Sequence, residues 1–411
     1  MILETLAQSS RLAFHVKVID FRDYPTHLTV DEKLQLIALA SRAITNCVNL
    51  LSCSWTRDGS LNTKIIESLA NLEKLRALEI NGRPGPWTAW VPEDLLQFRQ
   101  LHSLTLIMPV QAVVEVLPEW AAQNSETLES LVVICKSTTA LNDSTLFKMS
   151  SSLCRLRRFH LAGCIKVTEG SIKEVISRNT AGLESLALES CSPHLDMASL
   201  GTYCHESKCL TSLSSISLTI PFYKDSSQRD KWFEDVLVLL KHSPIESFQL
   251  YAGGGVEDEV SHSGISFGSL KQLVDAHAGT LRRIGIQRLI IPLDALRYAI
   301  AVCLNLEDVF VTLCGVNRDD LAQTLALGKV LRNVHTTLMT DVTGVLRPIH
   351  LATAQSICQH VVQYCSASLR LIGAQTRVWK VTRHFSGKEA IVTLGAYSGP
   401  QIPEQFLMIR A

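Results

Sequence analysis

One internal repeat constrains this chain more than any other feature. The stretch from Leu156 to Cys191 opens with Leu156-x-x-Phe159-x-Leu161-x-x-Cys164 and reopens with Leu183-x-x-Leu186-x-Leu188-x-x-Cys191. Between the two, residues 169–178 place Ile172, Val175 and Ile176 at helical spacing. Alternate side chains of a short strand point to opposite faces. Phe159 and Leu161, like Leu186 and Leu188, are therefore predicted to point inward, with Leu156 and Leu183 entering from the core side. Cys164 and Cys191 take the turn after the strand as small buried residues. One such strand–turn–helix unit cannot bury its apolar face alone, but stacked on copies of itself it can.

The frame recurs at Leu75-x-x-Leu78-x-Ile80, Leu101-x-x-Leu104-x-Leu106 and Leu128-x-x-Leu131-x-Val133. Starting positions 75, 101, 128, 156 and 183 give steps of 26, 27, 28 and 27, within the range of leucine-rich repeats. Past Cys191 the frames begin at Leu213, Ile245, Leu281, Leu306, Leu331 and Leu369, with steps of 30, 32, 36, 25, 25 and 38. The extra residues fall in polar or Gly-rich patches, notably 222–230 and 252–268, read as inserted loops. Upstream, the pattern predicts a strand at His15 to Phe21 with Val16 and Val18 inward. It then predicts a helix over 31–45 capped by Thr29 or Asp31, and a strand framed Val48-x-x-Leu51-x-Cys53. Residues 377–397 alternate like strands, and Val378, Val381, Ile391, Val392 and Leu394 suit a cover for the last apolar layer. The predicted fold is an α/β leucine-rich-repeat solenoid, a horseshoe with a parallel concave sheet and outer helices. It has about 12 repeats over residues 1–374, stacked without a hinge, and a small β cap over 375–411.

Composition narrows the function. The 411 residues are 46% hydrophobic, and 39 Lys and Arg balance 39 Asp and Glu. With no basic cluster long enough to track phosphates, nucleic acid and anionic membrane are not expected partners. The twelve cysteines lack the spacing of a disulfide framework. Cys204 and Cys209, with His205 between, are the nearest thing to a ligand cluster, but no second pair completes four ligands, so no metal is expected. Unpaired cysteines fit a reducing compartment. The opening MILETLAQSSRLAF lacks the pattern of a signal peptide. The most apolar stretch, 284–306, is broken by Arg288, Pro292, Asp294 and Arg297. An intracellular protein, in cytoplasm or nucleus, is expected.

Catalytic motifs are sparse. Gly264-Ile265-Ser266-Phe267-Gly268 fits G-x-S-x-G, and Gly253-Gly254-Gly255 lies upstream. The residues before Ser266, VEDEVSHS, are too acidic and polar for the buried strand that a nucleophile elbow requires. A serine hydrolase using Ser266 is thus a remote alternative, and no catalytic residue or cofactor is expected. What remains is surface. Outward strand positions hold Arg158, His160, Ser185, Glu189, Thr312 and Asn333, and most such residues only solvate a sheet. In the C-terminal half, Tyr251, Arg283 and Phe310, joined by Gln249, Gln287 and His335, form the candidate site for a protein partner on the concave face. Phe310 is expected to be exposed there, walled by the loops at 222–230 and 252–268.

The run LAGCIKVTEGSIKEVI, with Cys164, Thr168, Glu169, Ile172 and Ile176, resembles the cysteine-containing, ribonuclease-inhibitor-like repeats of F-box proteins. RLAFHVKVIDFRDY resembles the first strand after the F-box in fungal F-box/leucine-rich-repeat proteins, and RVWKV with GPQIPEQFLMIRA resembles their C-terminal stretch. The resemblance covers nearly the whole chain. It implies a substrate receptor of an SCF-type ubiquitin ligase, in which F-box helices hold the adaptor and repeats bind the substrate. The F-box itself is not found in this chain, so adaptor binding is expected only if one precedes Met1. The alternative of the same class is an F-box-less scaffold with no ubiquitin role.

Overall fold

Period-two patches alternating with period-3.6 patches become strands and helices in turn, and parallel strands need a crossover between them. The computed structural model of the protein describes residues 2–21, 28–56, 60–83, 90–221, 223, 225–252, 264–342, 345–386 and 389–397. The chain divides into two compact units, Met1–Asp196 and Met197–Ala411.

In the first unit β1 (Val18–Phe21), β2 (Ser52–Trp55), β3 (Ala77–Asn81), β4 (Ser103–Ile107), β5 (Ser130–Asn142), β6 (Arg158–Lys166) and β7 (Ser185–Glu189) follow in chain order. Each runs parallel to the next. In the second unit β8 (Ser215–Ile220), β9 (Ser247–Ala252), β10 (Arg283–Ile290), β11 (Asp308–Cys314) and β12 (Asn333–Val342) do the same. There β13 (Val345–Pro348) folds back antiparallel on β12, while β14 (Leu371–Ala374) continues the parallel order. This extra hairpin accounts for the long step before Leu369. An antiparallel pair, β15 (Arg377–Ser386) and β16 (Glu389–Ala396), follows on β14. Helices such as Val30–Asn46, Glu169–Arg178 and Phe267–His277 fill the crossovers. The architecture is an α/β leucine-rich-repeat solenoid.

The inward set is as predicted through the central repeats. Leu156, Phe159, Leu161, Leu186 and Cys164 are fully buried, as are Ile172 and Val175 of the intervening helix. The helix Val30–Asn46 starts on a reciprocal cap between Thr29 and Glu32. The helix Glu169–Arg178 is capped by its neighbour instead. Asp143 accepts from the Thr168 N–H at 2.8 Å and from the hydroxyls of Thr168 and Ser171 at 2.7 and 2.6 Å.

Within each unit, each repeat is tied to the one before by a single carbonyl that accepts two N–H groups. Arg76 O accepts from His102 and Ser103, His102 O from Glu129 and Ser130, and Glu129 O from Arg157 and Arg158. In the second unit Glu246 O accepts from Arg282 and Arg283, and Arg282 O from Glu307 and Asp308. The N-terminal repeats obey the same rule, with Lys17 O taking Leu51 and Ser52, and Leu51 O taking Arg76 and Ala77.

That bond corrects the predicted N-terminal phase. Leu51 is the equivalent of Arg76, so the inward residues are Leu50, Cys53 and Trp55, all fully buried. Val48 and Leu51 are exposed instead, at 50% and 43%. Likewise Val18 is 66% exposed, and Ile19 and Phe21 stand in register with Cys53 and Trp55. The Phe21 ring lies 4.1 Å from that of Trp55. The inserted segment at 222–230 is largely helix: Asp225 accepts from the Ser227 N–H and starts the helix Ser226–Leu240. In the C-terminal pair Trp379, Val381 and Val392 are buried, but Ile391 is exposed because it alternates with Val392. Gly253–Gly255 and residues 398–411 lie outside the described residues.

Leu50→Ala is expected to cost about 2–5 kcal/mol, the range for a buried leucine. Leu51→Ala is expected to cost about 1 kcal/mol or less, as at exposed positions. Urea denaturation of the two variants checks this frame. Equal losses would return Leu51 to the core.

Candidate functional site

Register gathers the six predicted residues onto one face of β9–β12. One row across the sheet reads Gln249, Gly285, Phe310, His335 and Gly373. The row toward the strand entrance reads Ser247, Arg283, Asp308, Asn333 and Leu371. Tyr251 pairs with Gln287 beyond them. Larger side chains lean over glycines: a Cβ on Gly373 would collide with His335 Cδ2, and one on Gly285 would meet Gln249 Cγ at 3.4 Å.

Phe310 is not the exposed anchor that parity suggested. It points to the predicted face, yet only 2% of it is accessible. The Arg283 guanidinium carbon stands 5.9 Å from its ring centroid, within cation–π range. Arg283 is itself engaged, donating from Nε and a terminal nitrogen to Asp308 Oδ2 at 2.9 and 2.6 Å. Asn333 donates to the other oxygen of Asp308 at 2.7 Å. Asp308 is buried, and these bonds compensate its desolvation. Tyr251 donates its hydroxyl to Gln249 Oε1 at 2.9 Å. The buried Gln287 has a side-chain oxygen with no hydrogen-bond partner among the described residues.

His335 donates from Nε2 to the carbonyl of Gln375 at 3.0 Å. Burial pushes its pKa down to about 4, against a smaller upward pull from that carbonyl. His160, on the first unit's strand face and 2.7 Å from the Ser185 hydroxyl, is pushed down to about 4 by burial and by Arg158. Both rings are neutral at pH 7.

At the entrance edge of β11, β12 and β14 lies a cleft of about 760 Å3. Its cationic lining comes from Arg332, Arg370, Lys380 and Arg383, and Glu307 and Asp308 line it too. Arg332 pairs with Glu307 at 3.2 Å, and Arg383 donates to the carbonyls of Leu369 and Ser366. Arg370 and Lys380 are exposed and have no acidic partner among the described residues. Sequence reading missed both, because Lys380 reaches this edge only through the antiparallel pairing of β15 with β14, opposite Leu371.

Other candidates behave differently. Ser266 caps the helix Phe267–His277, its oxygen accepting from the Ser269 N–H at 3.1 Å and lying 2.8 Å from the Ser269 hydroxyl. That hydroxyl donates to Asp230, so the contacts are those of a cap rather than of a serine–histidine pair. His205 Nδ1 lies 3.0 Å from His242 Nε2 in a stacked pair. Among the described residues no group of His, Cys, Asp or Glu is arranged to hold a metal ion, and no helix is long and apolar enough to cross a membrane.

No protein-family model matches the chain, and no curated protein matches it. Among solved structures it is similar to a chain of the crystal structure of the Rad7 and Elc1 complex in yeast. That match has 15% identity, covers 76% of each chain, and has a TM-score of 0.41. It is also similar to the leucine-rich repeat-containing protein LegL7 from Legionella pneumophila. There identity is 12%, coverage is 80% of this chain and 94% of that one, and the TM-score is 0.40.

Phe310→Ala is expected to destabilise the fold by about 3–5 kcal/mol, as for a buried phenylalanine, and chemical denaturation measures it. A loss under about 1 kcal/mol would fit an exposed ring.

His335 gives a pH test. Its folded pKa lies below the unfolded value of 6.5. Its contribution is therefore full above pH 6.5 and is lost as pH falls toward 4. At pH 5 the loss from this group is about 2 kcal/mol. His335→Gln should lose correspondingly less stability between pH 7.5 and pH 5 than the parent does. Identical slopes would place His335 in solvent.

Proposed function

We propose that the chain is a non-catalytic, protein-binding module whose strand face in the second unit receives an acidic segment of a partner. One observation carries this reading. The position just before the strand pairs charges across some neighbouring repeats, and from Glu246 through Arg282 and Glu307 to Arg332 it alternates in sign. Arg157 meets Glu184 at 2.8 Å, Arg282 meets Glu246 and Glu307 at 3.6 and 3.2 Å, and Arg332 meets Glu307 at 3.2 Å. At Arg370 the alternation stops: an arginine follows an arginine, and the adjoining strand brings Lys380. A partner carboxylate between Arg370 and Lys380 would extend the alternation by one step. Each exposed pair contributes only about 0.2–1 kcal/mol, so the cleft favours encounter and orientation more than raw affinity.

The finer reading follows the sequence resemblance. In it the module is the substrate-recognition part of an SCF-type ubiquitin ligase, with an adaptor held by an F-box if one precedes Met1. Co-purification with adaptor and cullin subunits supports that role, and their consistent absence favours a scaffold without a ubiquitin role. Labelling by a fluorophosphonate probe that is lost in Ser266→Ala would replace both with a hydrolase.

Arg370→Glu combined with Lys380→Glu is expected to weaken binding of a fluorescein-labelled Glu-rich peptide by roughly tenfold or more. That corresponds to about 1.4 kcal/mol, with melting temperature unchanged because both side chains are exposed. Fluorescence anisotropy at low and moderate salt checks it. Affinity equal in parent and variant, or equal for a Lys-rich peptide, would remove the acidic segment from the proposal.

A further inference from the structure

Through the first unit, the position whose carbonyl accepts two N–H groups holds Lys17, Leu51, Arg76, His102, Glu129 and Arg157 in turn. All but Leu51 carry an ionisable side chain. Further along this row opposite charges meet: His102 Nδ1 lies 3.9 Å from Glu129, and Arg157 lies 2.8 Å from Glu184. At the start of the row no carboxylate answers the cations. Lys17 is exposed and has no acidic partner among the described residues. Arg76 donates to the carbonyls of Glu73 and Leu75. Between them stands Leu51, which is exposed because Leu50 and Cys53 fill the inward positions.

One side chain widens this break. Asn49 donates to the Phe14 carbonyl at 2.8 Å and accepts from Lys74 at 2.6 Å. Phe14, 54% exposed, and the exposed Val48 thus share an edge with Leu51, and Lys74 stands beside them. Apolar surface gathered in this way is stabilised by being covered. Arg76 also lines a cleft of about 530 Å3, together with Phe98, Arg99 and Glu73. Arg99 is exposed and, like Lys17, lacks an acidic partner among the described residues.

We propose that this edge of the first unit is a docking surface for a protein segment in which an apolar side chain stands between two carboxylates. The apolar side chain covers Leu51, and the carboxylates meet Lys17 and Arg76. Strands β1 and β3 flank β2, so the two cations enter about 10 Å apart. An extended segment crosses that span in about three residues. The segment therefore carries acids at positions i and i+3 with a leucine-like residue between them. Charge complementarity selects an acidic segment over a basic one. The cleft beside Arg76 selects a chain segment over an anionic bilayer, because a planar surface cannot enter it. Docking here rests on the reading of the chain as a protein-binding module and is independent of the cleft at Arg370 and Lys380.

The test uses the full chain and a fluorescein-labelled peptide containing Glu-Leu-Ser-Glu, read by fluorescence anisotropy at low salt. Leu51→Ser should weaken binding about tenfold, as loss of an apolar anchor contact does. Lys17→Glu combined with Arg76→Gln should weaken it at least as much. Serine in place of the peptide leucine should weaken the complex with the parent by a similar factor. The same change should leave the Leu51→Ser complex unaltered, the mark of a direct contact. Arg370→Glu with Lys380→Glu should leave this affinity unchanged, which separates the two sites. Melting temperatures near the parent's show that the variants fold. Equal affinity of the parent and Leu51→Ser for the peptide would overturn the surface. So would Leu51-dependent binding of phosphatidylserine vesicles without peptide binding, or a dimer in sedimentation that Leu51→Ser dissolves, since a bilayer or a second copy would then be the occupant. Loss of binding only in the Arg370 and Lys380 variant would keep the acidic reading of that cleft and remove this one.

Discussion

The carbonyl that accepts two N–H groups from the next repeat is the bond on which everything else rests. A buried backbone group must find a partner, and here one acceptor satisfies two donors at the same point of successive repeats within each unit. Each such bond contributes about 0.5–1.5 kcal/mol net, so no single one decides stability. Their recurrence decides phase. Once Arg76 O holds His102 and Ser103, Leu104 and Leu106 must point inward and Thr105 outward. The same bond sets the residue just before one strand beside its counterpart one repeat away, which is why Arg157 meets Glu184 and Arg332 meets Glu307. Hydrophobic burial drives the stacking, and this bond fixes which residues are buried.

How much of the fold could be read from sequence follows from that rule. The helix at 169–178 and the inward sets of the central repeats were legible because leucine, isoleucine, phenylalanine and valine fill nearly every required position there. At the N-terminus the required positions hold Cys53 and Trp55, while Val48 and Leu51 sit close by with the wrong phase. A search for aliphatic residues therefore slid along the chain. The bond from Leu51 N–H to Lys17 O shows the true frame, and no residue type encodes it. The hairpin of β12 and β13 was missed for another reason: a step of 38 residues does not distinguish a loop from an extra strand.

The site was legible by half. Alternation gave the direction of Gln249, Arg283, Phe310 and His335 correctly, since they share a face by register. Alternation says nothing of coverage. Phe310 is hidden because a guanidinium stands over its ring, and that guanidinium is held by a buried carboxylate two residues before the phenylalanine in the chain. A charge pair beside an aromatic ring is thus part of the packing of this face rather than a free anchor on it. Removing one member of such a pair costs more than the pair is worth, because the remaining charge is left desolvated. The same logic makes the neutral state of His335 structural: its ring lies where a Cβ on Gly373 would be, too closely packed to carry a charge cheaply.

The C-terminal edge joins two requirements that sequence presents as separate. An open edge strand invites pairing with other chains, and the last layer of a solenoid needs a cover. The antiparallel strands β15 and β16 follow the last parallel strand, with Trp379 and Val392 buried, and move the sheet edge to β16. An antiparallel strand, however, cannot supply the residue that a further parallel repeat would place at the entry position. Register instead sets Lys380 opposite Leu371, next to Arg370. The unbalanced positive charge is therefore a consequence of how the edge is closed, not an isolated feature of surface composition. That coupling fixes the backbone from which the two cations project, with Val381 N–H held by Arg370 O at 2.8 Å.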